Sequence, residues 1–256
     1  MSVKRLSKSD ARQQRKIEKD KSSIHRSQLV ARTDMQAKYL GALRTRDQII
    51  CYGPEGTGKT YLAARWGIRQ VIEGKKEKLI IARPTVSKPK HRLGYRPGDQ
   101  NDKIVDWLVP ILDAIEDECS TTTIKKMCAS GQIKFAAFET MMGRTFRDAI
   151  VILDESQNCD FGDLRLFITR MGERTQCIID GSLEQIGSIA DSGFSQIIDM
   201  VERHSLDVAI IAFTDADVVR SPQTANWVKA FRRESIEMST LKNTIEDEHH
   251  PDGINN

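Results

Sequence analysis

The 256 residues are 39% hydrophobic and 29% charged, with a formal net charge of +3, which fits one sizeable core and excludes a second full domain of similar size. The apolar runs, of which 208–213 is typical, are too short to span a bilayer, and the charged N-terminus lacks the apolar stretch of a targeting signal. Five cysteines without a Cys-x-x-Cys pair exclude a disulfide frame or a zinc site as the organising device and fit a reducing cytoplasm.

Charge is distributed unevenly. Residues 1–28 carry nine Lys/Arg against three Asp/Glu, whereas 234–256 carry one Lys against six Asp/Glu. The chain therefore divides into a basic arm (1–30), a folded domain (31–233) and an acidic tail (234–256). The arm is poor in large apolar residues and cannot offset the entropy of ordering. It is either a solvated tail or a contact for nucleic-acid phosphates, which need charge more than structure.

The spacing from Asp34 to about Arg44 predicts a short amphipathic helix, with Gln36 placed where it could face a base. Next comes Ile49-Ile-Cys-Tyr-Gly-Pro-Glu-Gly-Thr-Gly-Lys-Thr60, a buried strand running into Gly-x-x-x-x-Gly-Lys-Thr, followed by apolar residues at helical spacing up to about Gly74. Strand, glycine-rich loop and helix in that order form a phosphate-binding loop. Its glycines let the backbone N–H groups of Gly53, Pro54-Glu55-Gly56-Thr57 and Gly58 curl round phosphate oxygens, Pro54 excepted as a donor, and the helix adds its positive end. Lys59 is expected to reach the β- and γ-phosphates of ATP, and Thr60 to hold Mg²⁺.

A second strand, 79–82, runs into Arg83-Pro84-Thr85. Residues 86–102 hold four Lys/Arg with two Pro and two Gly, so they read as a basic loop. A helix over 103–118, kinked at Pro110, and a short helix at 123–129 lead to a strand at 133–136 and a tight turn at Gly143-Arg144-Thr145-Phe146. Ala149-Ile-Val-Ile-Leu-Asp154-Glu155 then delivers two carboxylates at the end of an apolar strand. Asp154 is suited to orient the Mg²⁺ shell, and Glu155 to take a proton from an attacking water, which favours hydrolysis over transfer. After a helix over 161–171, with Asp160 as N-cap and Gly172 as stop, come strand 176–180, helix 193–203, strand 208–213 and helix 224–233. This alternation predicts an α/β fold with a parallel sheet of about five strands, helices on both faces and ligand at the strand C-termini.

These segments together resemble the PhoH family of P-loop ATPases from about Gln36 to Arg233. Besides the phosphate loop, the matching pieces are Ala82-Arg-Pro-Thr, Leu93-Gly-Tyr-Arg-Pro-Gly-Asp99 with Lys103, Gly143-Arg-Thr-Phe, Ile152-Leu-Asp-Glu-Ser-Gln-Asn158, Thr169-Arg-Met-Gly172 and Asp217-Val-Val-Arg220. The resemblance implies a RecA-like P-loop NTPase core, with Gln36 contacting adenine, Gln185 sensing the γ-phosphate and Arg220 acting as an arginine finger. It further implies Mg²⁺-dependent ATP hydrolysis coupled to RNA or single-stranded DNA in a helicase-like manner, away from membranes. A homo-oligomer, such as a hexameric ring, would then supply the wall that a second lobe gives monomeric helicases. The chain departs from the family at Gly181-Ser182, where members have Gly-Asp. Ser182 cannot give a carboxylate to the metal shell, although Asp180 lies two residues upstream. An ATP-dependent switch without nucleic-acid activity is the alternative reading.

Overall fold

The computed structural model describes residues 28–84, 100–141, 143–183 and 193–219, with Trp227, Ala230 and Glu234 as single helical positions. Most of the basic arm, residues 86–99 of the expected basic loop, Gln185, Arg220, most of the expected helix 224–233 and the acidic tail after Glu234 lie outside these residues, while 100–102, expected in the loop, begin a helix. The elements are α1 (Asp34–Thr45), β1 (Gln48–Tyr52), α2 (Lys59–Ile72), β2 (Lys78–Arg83), α3 (Gln100–Glu116), α4 (Thr121–Ala129), β3 (Ile133–Ala137), β4 (Ala149–Leu153), α5 (Phe161–Ile168), β5 (Gln176–Gly181), α6 (Gly193–Arg203) and β6 (Ala209–Ala212). All strands pair in parallel, in the order β3-β2-β4-β5-β1-β6.

The sheet thus has six strands, not about five. The sixth is an edge: β6 is mostly half-buried and β3 carries Lys134, so the two edge strands have weaker apolar signatures than the interior ones. Interior strands show the opposite extreme. All five residues of β4 are at most 1% exposed, because helices cover both faces of a parallel sheet and leave no polar side. One core packs α1, α2, α3 and α4 on one face through Tyr39, Leu62, Ile68, Ile115 and Ile124. The other packs α5 and α6 through Leu164, Phe167, Phe194 and Ile197.

Local chemistry sets the helix ends. Thr33 caps α1 by accepting from Gln36 N, and Asp160 caps α5 reciprocally with Asp163. That helix stops at Ile168 and not near Met171, since Phe146 pairs with Met171 in a parallel bridge and draws the chain out of helical form. Helix α3 continues across Pro110. Among the described residues no helix is long and apolar enough to cross a membrane.

Candidate nucleotide site

Strand register gathers the site. Leu153 lies opposite Ile179, and Cys51 opposite Asp180, so Asp154 and Asp180 emerge side by side next to the end of β1. There β1 runs into Gly53, whose φ of 140° and closeness to β6 exclude a side chain: a Cβ would stand 2.4 Å from Phe213 O. Gly58, at φ 83°, opens α2 without any side-chain cap, leaving its first N–H groups for a ligand.

The loop is held from within and from behind. The Thr57 hydroxyl donates to Pro54 O at 3.0 Å, and Lys59 Nζ donates to Gly53 O at 2.9 Å and Pro54 O at 3.0 Å. Gln36 is 3% exposed. Its Nε2 donates to Thr57 O at 2.8 Å, and its Oε1 accepts from Arg32 N at 2.8 Å. Both ends of the carboxamide are thus engaged by backbone, while its second N–H and second oxygen lone pair stay open to a further contact.

Thr60 Oγ1 lies 3.0 Å from Asp154 Oδ1 and 2.5 Å from Asp180 Oδ2. One hydroxyl proton cannot serve two carboxylates, so this oxygen cluster needs either a shared proton or a cation. The titration behaviour agrees. Burial pushes the Asp180 carboxyl up to about 7, against the pull of Lys59 and with added repulsion from Asp154. Burial also raises Asp154, although Arg83 opposes the rise. Hard oxygen donors, two of them carboxylates, with space for water and phosphate, are a donor set that suits Mg²⁺. Asp180 thereby stands where Ser182 cannot supply charge. Its position at the end of a buried strand was the available sequence signal.

Glu155 has a left-handed backbone, φ 57°, which turns its side chain away from that of Asp154. Its Oε1 pairs with Arg83 Nη2 at 2.6 Å, and its Oε2 accepts from Gln157 Nε2 at 2.5 Å. Gln157 Oε1 in turn accepts from Ser182 N at 3.0 Å. Each carboxylate oxygen keeps a second lone pair, so Glu155 is anchored and can still accept from a water. Arg83 and Gln157 are site residues that the motif alone does not single out.

A cleft of about 360 Å³ opens over these groups, with Tyr61, Pro110 and Ile111 forming an apolar side. That volume is in the range of small-molecule sites. The structure therefore brings together Lys59, Thr60, Asp154, Glu155 and the loop glycines, with Gln36 behind the loop. Val219 N also donates to Gly56 O at 3.0 Å, which ties Val219 to the phosphate loop.

A family model described as PhoH-like protein matches residues 28–232. A PhoH-like protein of Synechocystis sp. is 33% identical over 205 residues, 79% of this chain and 62% of that protein. The PhoH-like protein of Bacillus subtilis is 34% identical over 203 residues, 78% and 63% respectively. Protein PhoH of Escherichia coli is 30% identical over 209 residues, 80% and 58%. The chain spans about three fifths of the length of these relatives. Among solved structures, the UvsW helicase from bacteriophage T4 aligns with 82% of this chain and 68% of its own at 13% identity and a TM-score of 0.45. The large terminase from a thermophilic bacteriophage aligns with 75% and 48% at 12% identity and a TM-score of 0.44.

Proposed function

The chain belongs to the PhoH-like protein family, and from that premise we propose that it is a Mg²⁺-dependent ATPase whose turnover is coupled to remodelling of RNA or single-stranded DNA. The observation that carries the reading is the meeting of Thr60, Asp154 and Asp180 around one oxygen cluster at the open N-terminus of the helix that Lys59 begins, with Lys59 Nζ turned onto the loop.

Thr60, Asp154 and Asp180 would hold the magnesium. When bound, the ion would supply positive charge that offsets that of the phosphate oxygens. Lys59 exchanges its two loop carbonyls for phosphate oxygens, a trade of neutral acceptors for charged ones that favours the ligand. The N–H groups at the start of α2 bind and orient the phosphates. Glu155, kept in place by Arg83 and Gln157, accepts the proton of the attacking water. Gln185 would sense the γ-phosphate, and Arg220 would stabilise its charge, in its own subunit or in a neighbour's within a homo-oligomeric ring. All five cysteines are unpaired, which supports a cytoplasmic setting.

The test is titration of ATP with and without Mg²⁺ into wild type and Lys59→Ala, followed by phosphate release with and without single-stranded RNA. Wild type should bind ATP more tightly with Mg²⁺ and turn over faster with RNA, and Lys59→Ala should lose turnover and bind weakly. Turnover indifferent to RNA and to DNA would leave an ATP-dependent switch, and equal ATP binding by the two proteins would defeat the assignment of the loop.

A further inference from the structure

Two motifs remain without a role in the nucleotide site, Gly143-Arg-Thr-Phe and Thr169-Arg-Met-Gly172. They meet in the fold. Phe146 N donates to Arg170 O at 2.9 Å, Gly172 N to Phe146 O at 2.8 Å, Asp148 N to Glu173 O at 3.1 Å, and the Thr175 hydroxyl to Phe146 O at 2.9 Å. The two segments therefore run as a short parallel seam, with Phe146 and Met171 bridged. They touch so closely at Gly172 that a Cβ there would stand 2.8 Å from Phe146 O. Phe146 is buried in the core beside Phe138, Met141 and Phe167, which fixes the seam to the α5 face of the sheet.

This rigid seam is rich in arginine. Residues 144–148 and 170–174 contribute Arg144, Arg147, Arg170 and Arg174 against Asp148 and Glu173, and Arg165 lies on the adjoining α5. Arg174 pairs with Asp148 at 3.3 Å. Arg144, Arg147 and Arg165 are exposed, and none of their side chains has an ion pair or hydrogen bond among the described residues. Arg170 Nε is buried without any partner. Arg46, Arg65, Arg69 and Arg83, by contrast, each hold a carboxylate. Exposed arginines without a carboxylate, held beside Arg170 and Arg174 on a fixed frame, make a positive surface that complements an anionic ligand.

We propose that this seam is a binding surface for the phosphate backbone of single-stranded nucleic acid. Guanidinium forks fit phosphate oxygens in pairs, and contact of this kind is with the backbone and is indifferent to sequence. The seam leads into the N-terminal ends of β4 and β5, whereas the phosphate loop lies at the C-terminal ends. Five residues of β4 separate the two by roughly 16 Å. The surface is thus distinct from the nucleotide site, and only the choice of nucleic acid as the polyanion rests on the function proposed above.

Fluorescence anisotropy with labelled oligouridylate and oligothymidylate, over a salt series and without nucleotide, tests this. Arg144→Gln/Arg147→Gln changes two exposed residues, and its melting curve should match wild type. It should bind about tenfold more weakly and lower the slope of log affinity against log salt by about 1.4, at roughly 0.7 per lost phosphate contact. Arg144→Lys/Arg147→Lys should restore the slope. Basal ATP turnover should not change, and if wild type binds RNA through these residues but hydrolyses no ATP, the surface stands and the ATPase reading alone fails. No binding by wild type, or equal affinity and slope in wild type and the Gln variant, would overturn the proposal. So would loss confined to a peptide of residues 234–256, which would make the seam a dock for the chain's own acidic tail.

Discussion

Asp180 is a buried carboxylate beside a second one, Asp154. Its folded pKa of about 7 lies above the value of about 3.9 expected in an unfolded chain, so the native state holds the extra proton between these limits. Its contribution to stability is therefore greatest near pH 4, falls as pH rises to about 7 and is level beyond. Melting temperature without nucleotide should show this fall, and Asp180→Asn should shrink it; an unchanged pH slope in the variant would assign the proton elsewhere. Gln36 poses a second question at this scale, since its carboxamide ties the loop at Thr57 to the backbone at Arg32. Gln36→Ala is expected to weaken ATP and GTP by similar factors, because a loosened loop harms both phosphates alike. A loss confined to ATP would show an adenine contact instead.

Helix α2 is coupled to the end of α3 by buried charge: Glu118 accepts from Arg65 at 2.6 Å and from Arg69 at 2.7 Å, with the side chains of Glu118 and Arg65 only 3% and 7% exposed. Removing one partner of such a group leaves the other unpaired in a low-dielectric site. Glu118→Ala should cost about 3–5 kcal/mol, read by urea unfolding with the m-value unchanged; a loss below about 1 kcal/mol would mean that solvent reaches Arg65 freely. The elements themselves differed in how far the sequence disclosed them. The run Ala149 to Glu155 and the loop Gly53 to Thr60 were legible because a strand buried on both faces has no polar alternation, and because phosphate binding restricts residue type at fixed spacing. All six strands were legible as segments, although the sheet was expected to hold about five; the end of α5 and the meeting of Asp180 with Thr60 were not, since each depends on a partner distant in the chain: Phe146 for Met171, and Thr60 for Asp180. Glu155 was legible as an acid, but its anchors Arg83 and Gln157 become visible only when β2 and β4 lie side by side.

The described residues form a candidate nucleotide cleft, open beside Tyr61 and Ile111. A neighbouring subunit is the proposed source of the missing wall, and Arg220 is the proposed finger. The bond from Val219 N to Gly56 O ties Val219 to its own subunit's loop, and action of Arg220 within the subunit and across an interface both stay open. Mixing separates them. Arg220→Ala subunits keep a complete phosphate loop and Lys59→Ala subunits keep the finger, so co-assembly of the two inactive proteins should restore part of the activity if the finger serves a neighbour. No recovery, with subunit exchange verified, would leave Arg220 acting in its own subunit or only in structure. Beneath all of this lies the claim that the cleft hydrolyses ATP with Glu155 as base. Steady-state phosphate release at saturating Mg²⁺ and ATP, compared between wild type and Glu155→Gln in protein freed of contaminating ATPases, tests it most directly. The expected result is ATP binding retained in the variant with turnover lowered by about 10² to 10⁴; equal turnover in the two proteins would contradict it.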